Sequence, residues 1–193
     1  SCMEGSRFLT LRIFFGGNKM ENPITIREAV TENDVAAFWE QLHAYHKRDI
    51  FPDSDDDELE YFLGSGYHDR MMEIYSRPQD RCFFLFFRRD GRDIGFAMPV
   101  LFTSEDGKCF IMEYCVYPEF RGNGTGRECA GVLLDWAKER GALYAELNCG
   151  GRHFWKNVGF VENGVDEWGD ALMILPPAED VPITAEVLAD PDD

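Results

Sequence analysis

Between Arg121 and Gly126 the chain reads Arg-Gly-Asn-Gly-Thr-Gly, with no side chain bulkier than Asn or Thr after the arginine. Such a stretch can turn sharply with its backbone N–H groups pointing into one concavity, a cradle for an anion. From Arg127 the apolar residues Cys129, Ala130, Leu133, Leu134 and Ala137 recur at helical spacing. The cradle is therefore placed at a helix N-terminus, where unpaired N–H groups and the helix dipole favour phosphate. Ahead of it, Phe110, Met112, Tyr114 and Val116 alternate with Ile111, Glu113, Cys115 and Tyr117 until Pro118, the pattern of a buried strand. Strand, glycine loop and helix together predict a phosphate-binding site.

The glycines narrow the kind of site. A nucleoside-triphosphate loop needs Gly-Lys-Ser/Thr, and Gly126 is followed by Arg127 and Glu128. A dinucleotide fingerprint G-x-G-x-x-G counted from Gly122 lands on Arg127, and counted from Gly124 it lands on Cys129. What fits is [Gln/Arg]-x-x-Gly-x-[Gly/Ala], filled by Arg121, Gly122, Asn123, Gly124, Thr125 and Gly126 directly after Val116-Tyr117-Pro118-Glu119. This resembles the pyrophosphate loop of the GNAT superfamily, the acetyl-CoA-dependent N-acyltransferases. A second stretch, Asn148 followed by Phe154-Trp155 and closing on Gly159-Phe160, resembles the family's other signature. The resemblance spans residues 24–175.

The resemblance implies an α/β fold: one GNAT-like domain with a mixed, mostly antiparallel central sheet, a splayed parallel pair of strands and flanking helices. Acetyl-CoA would be the co-substrate, its pantetheine lying between the splayed strands. The N–H of Val116 would bond the thioester oxygen or pantetheine. Arg121, Gly122, Asn123, Gly124, Thr125, Gly126 and Arg127 would hold the pyrophosphate, largely through backbone amides, and Asn148 would bond pantetheine or cap a turn. No metal is implied, and the acceptor would be a cationic amine.

Aminolysis of a thioester needs a held acyl group, a neutral amine aimed at its carbonyl, and donors where the oxyanion develops. An amine that arrives as ammonium must first lose a proton. Glu113 is a carboxylate in an otherwise apolar strand, where burial is costly unless the group is paired or used, and it is the first choice as general base. The alternatives are that it pairs with an Arg or Lys of the sheet or faces solvent. Trp155 departs from the resemblance, because that position is usually a Tyr placed to protonate the leaving sulfur, and an indole N–H cannot give up a proton near neutral pH. Either the thiolate leaves unprotonated, or Tyr114, Tyr117 or water substitutes, or the catalytic role is lost. The last option defines a second function class, a non-catalytic acyl-CoA-binding or sensing module.

The elements that must position these groups can be read in order. Residues 1–19 are taken as an N-terminal extension, 20–177 as the domain and 178–193 as an acidic tail. Pro23-Ile-Thr-Ile-Arg-Glu opens a strand at 24–28, and Thr31 N-caps a first helix carrying Val35, Phe38, Trp39, Leu42 and Tyr45. His43 and His46 near its end are taken as surface or packing residues. The acids of 53–58 and further helical stretches follow, on the acceptor side of the cleft by resemblance. Strands at 82–88 and 93–103 form a hairpin about Asp90-Gly91 and, with the Cys109 strand, a meander. Gly141 ends the long helix, and 143–147 returns as a parallel strand. A short helix at 152–157, a strand from Phe160 and a last strand at 168–175 complete the sheet.

At 193 residues and 45% hydrophobic the chain suits one sizeable core, and no apolar run approaches a membrane span. The net charge of −17 disfavours nucleic acid and anionic membrane and favours approach of a cation. Six cysteines without a C-x-x-C pair read as small buried hydrophobes of a reducing cytoplasm. Oligomeric state stays open, a homodimer among the options.

Overall fold

The computed structural model describes residues 22–54, 59–148, 152–167 and 169–175. The expected extension, the tail, most of the 53–58 acidic run and residues 149–151 fall outside those residues. One seven-stranded sheet, in the order β1-β2-β3-β4-β5-β7-β6, divides the molecule. Its strands are β1 Thr25–Glu28, β2 Leu85–Arg89, β3 Arg92–Phe102, β4 Lys108–Val116, β5 Tyr144–Asn148, β6 Val161–Val165 and β7 Ala171–Leu175. Every pairing is antiparallel except β4 with β5. The last strand does not take the edge: β7 inserts between β5 and β6, because its Ala171-Leu-Met-Ile run is buried whereas β6 is largely exposed.

Each face of the sheet carries its own core. On one face lie α1 Glu32–Tyr45, α2 Glu60–Leu63 and α3 Ser65–Tyr75. Phe38, Trp39 and Leu42 of α1 and Tyr67, Met71 and Ile74 of α3 pack there on Phe84, Phe86, Phe96 and Met98. On the other lie α4 Thr125–Glu139 and α5 Arg152–Val158, with Cys129, Ala130, Leu133, Trp136 and Trp155 against Leu85, Phe87, Ala97 and Ile111. Both helical stripes follow the i, i+3, i+4 spacing of the sequence. The Thr31 hydroxyl caps α1 by accepting from the Asp34 N–H at 3.1 Å, as the spacing predicts. The α4 end is closed at Gly141, whose φ of 93° only glycine adopts readily, while the Ala142 N–H returns to the Ala137 carbonyl at 3.0 Å.

Two irregularities position the site. First, β4 does not alternate throughout. Its register against β3 slips after Met98↔Glu113 to Pro99↔Ile111, so Met112 is an extra residue, a β-bulge opposite a proline that cannot donate to the ladder. Ile111, Tyr114 and Val116 consequently face the α4 side, while Phe110, Glu113 and Cys115 face the α1–α3 side. The uninterrupted alternation expected from sequence is thus wrong by one residue past Ile111. Second, β4 and β5 pair only from Lys108↔Tyr144 to Phe110↔Glu146. Beyond that β4 follows β3 to Val116 and β5 follows β7 to Asn148, so a wedge opens between them.

Candidate functional site

The glycine loop forms the mouth of the wedge. Gly122, Asn123 and Gly124 take φ values of 95°, 50° and 83° in succession, a left-handed run that two glycines and an asparagine tolerate. Gly124 is the N-cap of α4, and a Cβ built on Gly122 or Gly124 meets nothing within 4 Å, so the space over the loop is open. The Thr125 N–H closes on the Gly122 carbonyl at 3.0 Å, and Glu128 is the first to bond back to Gly124, also at 3.0 Å. Among the described residues the amides of Asn123, Gly124, Gly126 and Arg127 bond no carbonyl, which makes the loop a donor-lined concavity at a helix N-terminus. Thr125 is buried beneath it and Arg127 is exposed beside it.

Val116 ends β4 at the throat of the wedge. The Tyr117 N–H bonds the Ile94 carbonyl at 2.9 Å, toward β3, and successive N–H groups of a strand point to opposite edges. The Val116 N–H therefore points into the wedge, where β5 has already diverged. Its carbonyl accepts from Arg121 Nε at 2.8 Å. The same guanidinium pairs through Nη2 with Asp49, in the π-helical turn His46–Ile50 that continues α1. Asp49 also receives both Arg48 Nε at 2.9 Å and Nη2 at 2.8 Å. Hydrogen bonding from Arg48, with Arg121 beside it, holds the Asp49 carboxyl below its ordinary range. Arg121 thus clasps the acceptor-side turn to the throat, and its side chain is not turned into the glycine loop.

Glu113 lies on the opposite face of β4 from Tyr114 and Val116, and its side chain is 12% exposed. Its Oε1 accepts from the Tyr67 hydroxyl at 2.8 Å and lies 2.9 Å from His46 Nε2. Among the described residues its partners are Tyr67 and His46 rather than an Arg or Lys of the sheet, and it does not simply face solvent. Burial, and then the Glu113 charge, push the Tyr67 phenol well above its ordinary range, so it stays a donor. His46 is 1% exposed among Tyr45, Phe51, Phe62 and Tyr67, and its Nδ1 is buried without a partner. An orphaned polar atom of that kind costs about 1–3 kcal/mol. From the sequence His46 reads as a surface or packing residue, whereas the fold buries it against Glu113. The signal that could have found it is Glu113 itself, a carboxylate in an apolar strand that needs donors from somewhere.

Trp155 is packed into the α4-side core at 7% exposure, edge-to-face with Tyr114, Phe154 and Phe160 at 5.0, 4.9 and 5.2 Å between ring centroids. The phenol against it belongs to Tyr114, whose hydroxyl donates to the Gly126 carbonyl in the first turn of α4. Burial pushes the Tyr114 hydroxyl well above its ordinary range. Asn148 ends β5 on the far side of the wedge, and its amide nitrogen donates to Asp166 Oδ2 at 2.8 Å, tying down the β6–β7 connection. Cys82, Cys109, Cys115 and Cys129 are free and buried, as expected for small hydrophobes; Cys2 and Cys149 lie outside the described residues. Among the described residues no cluster of metal-ligating side chains occurs and no helix is long and apolar enough to cross a membrane.

A sheet that opens beside a helix-capped glycine loop is the arrangement implied by the resemblance to acyl-CoA-dependent transferases. The model of the acetyltransferase (GNAT) family matches residues 38–160, and the chain belongs to that family, making it an acyltransferase enzyme. Similar solved structures include the PaiA N-acetyltransferase of Thermoplasma acidophilum in complex with coenzyme A, at 18% identity and a TM-score of 0.59, covering 79% of this chain and 98% of that one. A GNAT-family acetyltransferase from Staphylococcus aureus Mu50 matches at 13% identity and a TM-score of 0.55, covering 78% and 97%. The N-acetylglutamate synthase of Neisseria gonorrhoeae, complexed with coenzyme A and N-acetyl-glutamate, matches at 17% and 0.52, covering 80% of this chain and 35% of that one. These likenesses concern the fold. No curated protein sequence matches this chain.

Proposed function

We propose that the protein transfers an acetyl group from acetyl-CoA to a primary amine of a small molecule or peptide, by direct attack in a ternary complex. The observation that carries this reading is the wedge: an open strand edge with the Val116 N–H in its throat leads to a donor-lined loop at its mouth, and a half-buried carboxylate stands on the other face of the same strand. The free backbone amides of Asn123, Gly124, Gly126 and Arg127 receive the pyrophosphate, pantetheine extends β4 along the edge that β5 has left, and the Val116 N–H meets the thioester oxygen. Glu113 takes the proton of the ammonium, freeing the nitrogen lone pair to attack the carbonyl. The attacking nitrogen then carries one proton too many and loses it as the tetrahedral intermediate collapses; the CoA sulfur leaves as a thiolate, the proton going to water, or receives a proton by way of Tyr114 or water, since Trp155 has no acidic proton to give. A thiol of ordinary pKa, about 8.5, is a tolerable leaving group without an acid.

The test is release of free thiol from acetyl-CoA against a panel of primary amines. The expected result is amine-dependent thiol release with an N-acetylated product by mass spectrometry. Acetyl-CoA binding with no turnover on any amine would favour the sensing module, a reading that rests on the packed Trp155.

A further inference from the structure

Glu113 is held asymmetrically. Both of its partners, Tyr67 from α3 and His46 from the end of α1, converge on Oε1, at 2.8 and 2.9 Å. Oε2 bonds nothing among the described residues and is not one of the buried polar atoms without a partner. A carboxylate anchored through one oxygen presents the other. Because an ionised carboxylate only accepts, His46 must donate through Nε2–H. Its Nδ1 is then a bare lone pair in an aromatic pocket, which is a lesser burden there than an unpaired N–H of an imidazolium. A side chain 1% exposed among Phe51, Phe62, Tyr45 and Tyr67 would pack as well or better as Phe or Leu, so packing alone does not explain an imidazole with one orphaned nitrogen.

We infer that His46 and Tyr67 are positioning residues for the proposed base: they fix Oε1 and turn Oε2 toward the incoming amine. This inference rests on the assignment of Glu113 as base. The other titratable groups around the carboxylate are Tyr45 on α1 and Cys115 on β4. Asp49, Arg48 and Arg121 lie beyond Cys115, Tyr61 and Cys82 beside Tyr67, and His43 beside His46. Losing either donor frees Oε1, so kcat must fall while KM for acetyl-CoA stays, a split that a general loss of packing does not produce.

The experiment compares His46→Phe, His46→Gln and Tyr67→Phe with the parent, using an acceptor from the amine panel. His46→Phe and Tyr67→Phe are expected to lower kcat about tenfold with KM for acetyl-CoA unchanged. His46→Gln keeps an N–H near the Nε2 position and is expected to recover most of the loss. An unchanged kcat in the two phenylalanine variants would overturn the inference, as would a glutamine variant no better than phenylalanine. One measurement needs neither turnover nor a variant. Nitrogen NMR of the parent should show His46 as the Nε2–H tautomer, and the Nδ1–H tautomer would overturn the inference. If the clamp is present by NMR while no amine is acetylated, the functional reading has failed and the clamp has not.

Discussion

The two sides of the wedge are built in different ways. The cradle side is backbone: six contiguous residues, a left-handed run at Gly122, Asn123 and Gly124, and the free amides of a helix start. The acceptor side is side chain: Glu113 from β4, Tyr67 from a position 46 residues away and His46 from one 67 residues away, meeting only because α1 and α3 pack on the same face of the sheet. A backbone site tolerates side-chain change except where the φ angle or a Cβ intrudes. A side-chain site depends on each donor and on the packing that aims it. In the proposed mechanism the division between binding and chemistry follows the same line, and its sharpest tests are substitutions that strike one side alone.

The largest effect is expected at Gly124. A valine there must adopt a φ of 83°, a strain of about 1–3 kcal/mol for a non-glycine residue, and its side chain enters the open space over the loop. Acetyl-CoA affinity by calorimetry should fall by about 100-fold, equivalent to roughly 2.7 kcal/mol. Gly124→Val binding as tightly as the parent would remove the pyrophosphate from this loop.

Glu113→Gln strikes the other side. Turnover should fall by about 100-fold with acetyl-CoA affinity unchanged, and the loss should shrink at high pH, where the amine is already neutral. If the variant instead lost acetyl-CoA affinity and kept its rate, the comparison would be inverted.

What was legible in the sequence divides along the same boundary. Local rules gave the cradle, because a strand stopped by Pro118, a glycine run and the Cys129–Ala137 stripe are contiguous and the physics that makes them a site is backbone physics. The same rules gave Thr31 as a cap, the meander and the parallel return after Gly141. They could not give the Met112 bulge, because the apolar residues of β4 run on through it and either register looks amphipathic; only the pairing with Pro99 reveals which face Glu113 takes. His46 was illegible for a related reason. Trp39, His43 and His46 recur at helical spacing, but the spacing says only that they share a face, and the α3 packing that makes the face chemical is long-range. Arg121 is legible as part of a motif, but the direction of its side chain is not. The motif places it at the loop, while the fold sends its guanidinium to Asp49 and the Val116 carbonyl.

That clasp is where the two sides join, and it predicts an intermediate effect. If Arg121 serves mainly as a tie, Arg121→Ala should weaken acetyl-CoA binding by less than about fivefold and lower Tm by a few degrees, since a partly exposed ion pair contributes about 0.2–1 kcal/mol. Asp49→Asn should lower Tm similarly while raising acetyl-CoA affinity by about threefold, because one negative charge near an anionic ligand is gone and Arg121 is released. The pH dependence has a definite sign. Asp49 has a depressed pKa in the folded protein, so its contribution is full above the ordinary aspartate value of about 3.9 and is lost as pH falls through the lower folded value. The stability gap between parent and Asp49→Asn should therefore close in acid. A tenfold or greater loss of affinity in Arg121→Ala, with Asp49→Asn silent, would make Arg121 a phosphate ligand after all.

The smallest effect is expected at Trp155, and it tests whether the departing sulfur needs a protein acid at all. The indole is wedged among Tyr114, Phe154 and Phe160, so its first role is to hold α5 against β4. Trp155→Tyr removes part of a buried ring, and a cost of about 1–3 kcal/mol should appear as a Tm drop of several degrees. Its chemical effect is bounded by the leaving group: CoA thiolate departs from a tetrahedral intermediate without help, so a restored phenol should raise kcat by no more than about fivefold, below the usual range for general catalysis. Tyr114 sharpens the reading, because it already places a hydroxyl against the same ring and spends it on the Gly126 carbonyl. If Tyr114 protonates the sulfur, Tyr114→Phe should slow the parent and Trp155→Tyr should restore the double variant. If neither tyrosine matters to kcat while both change Tm, the α4 side of the wedge holds the cofactor and nothing more, and the chemistry lies wholly with Val116 and Glu113 on β4.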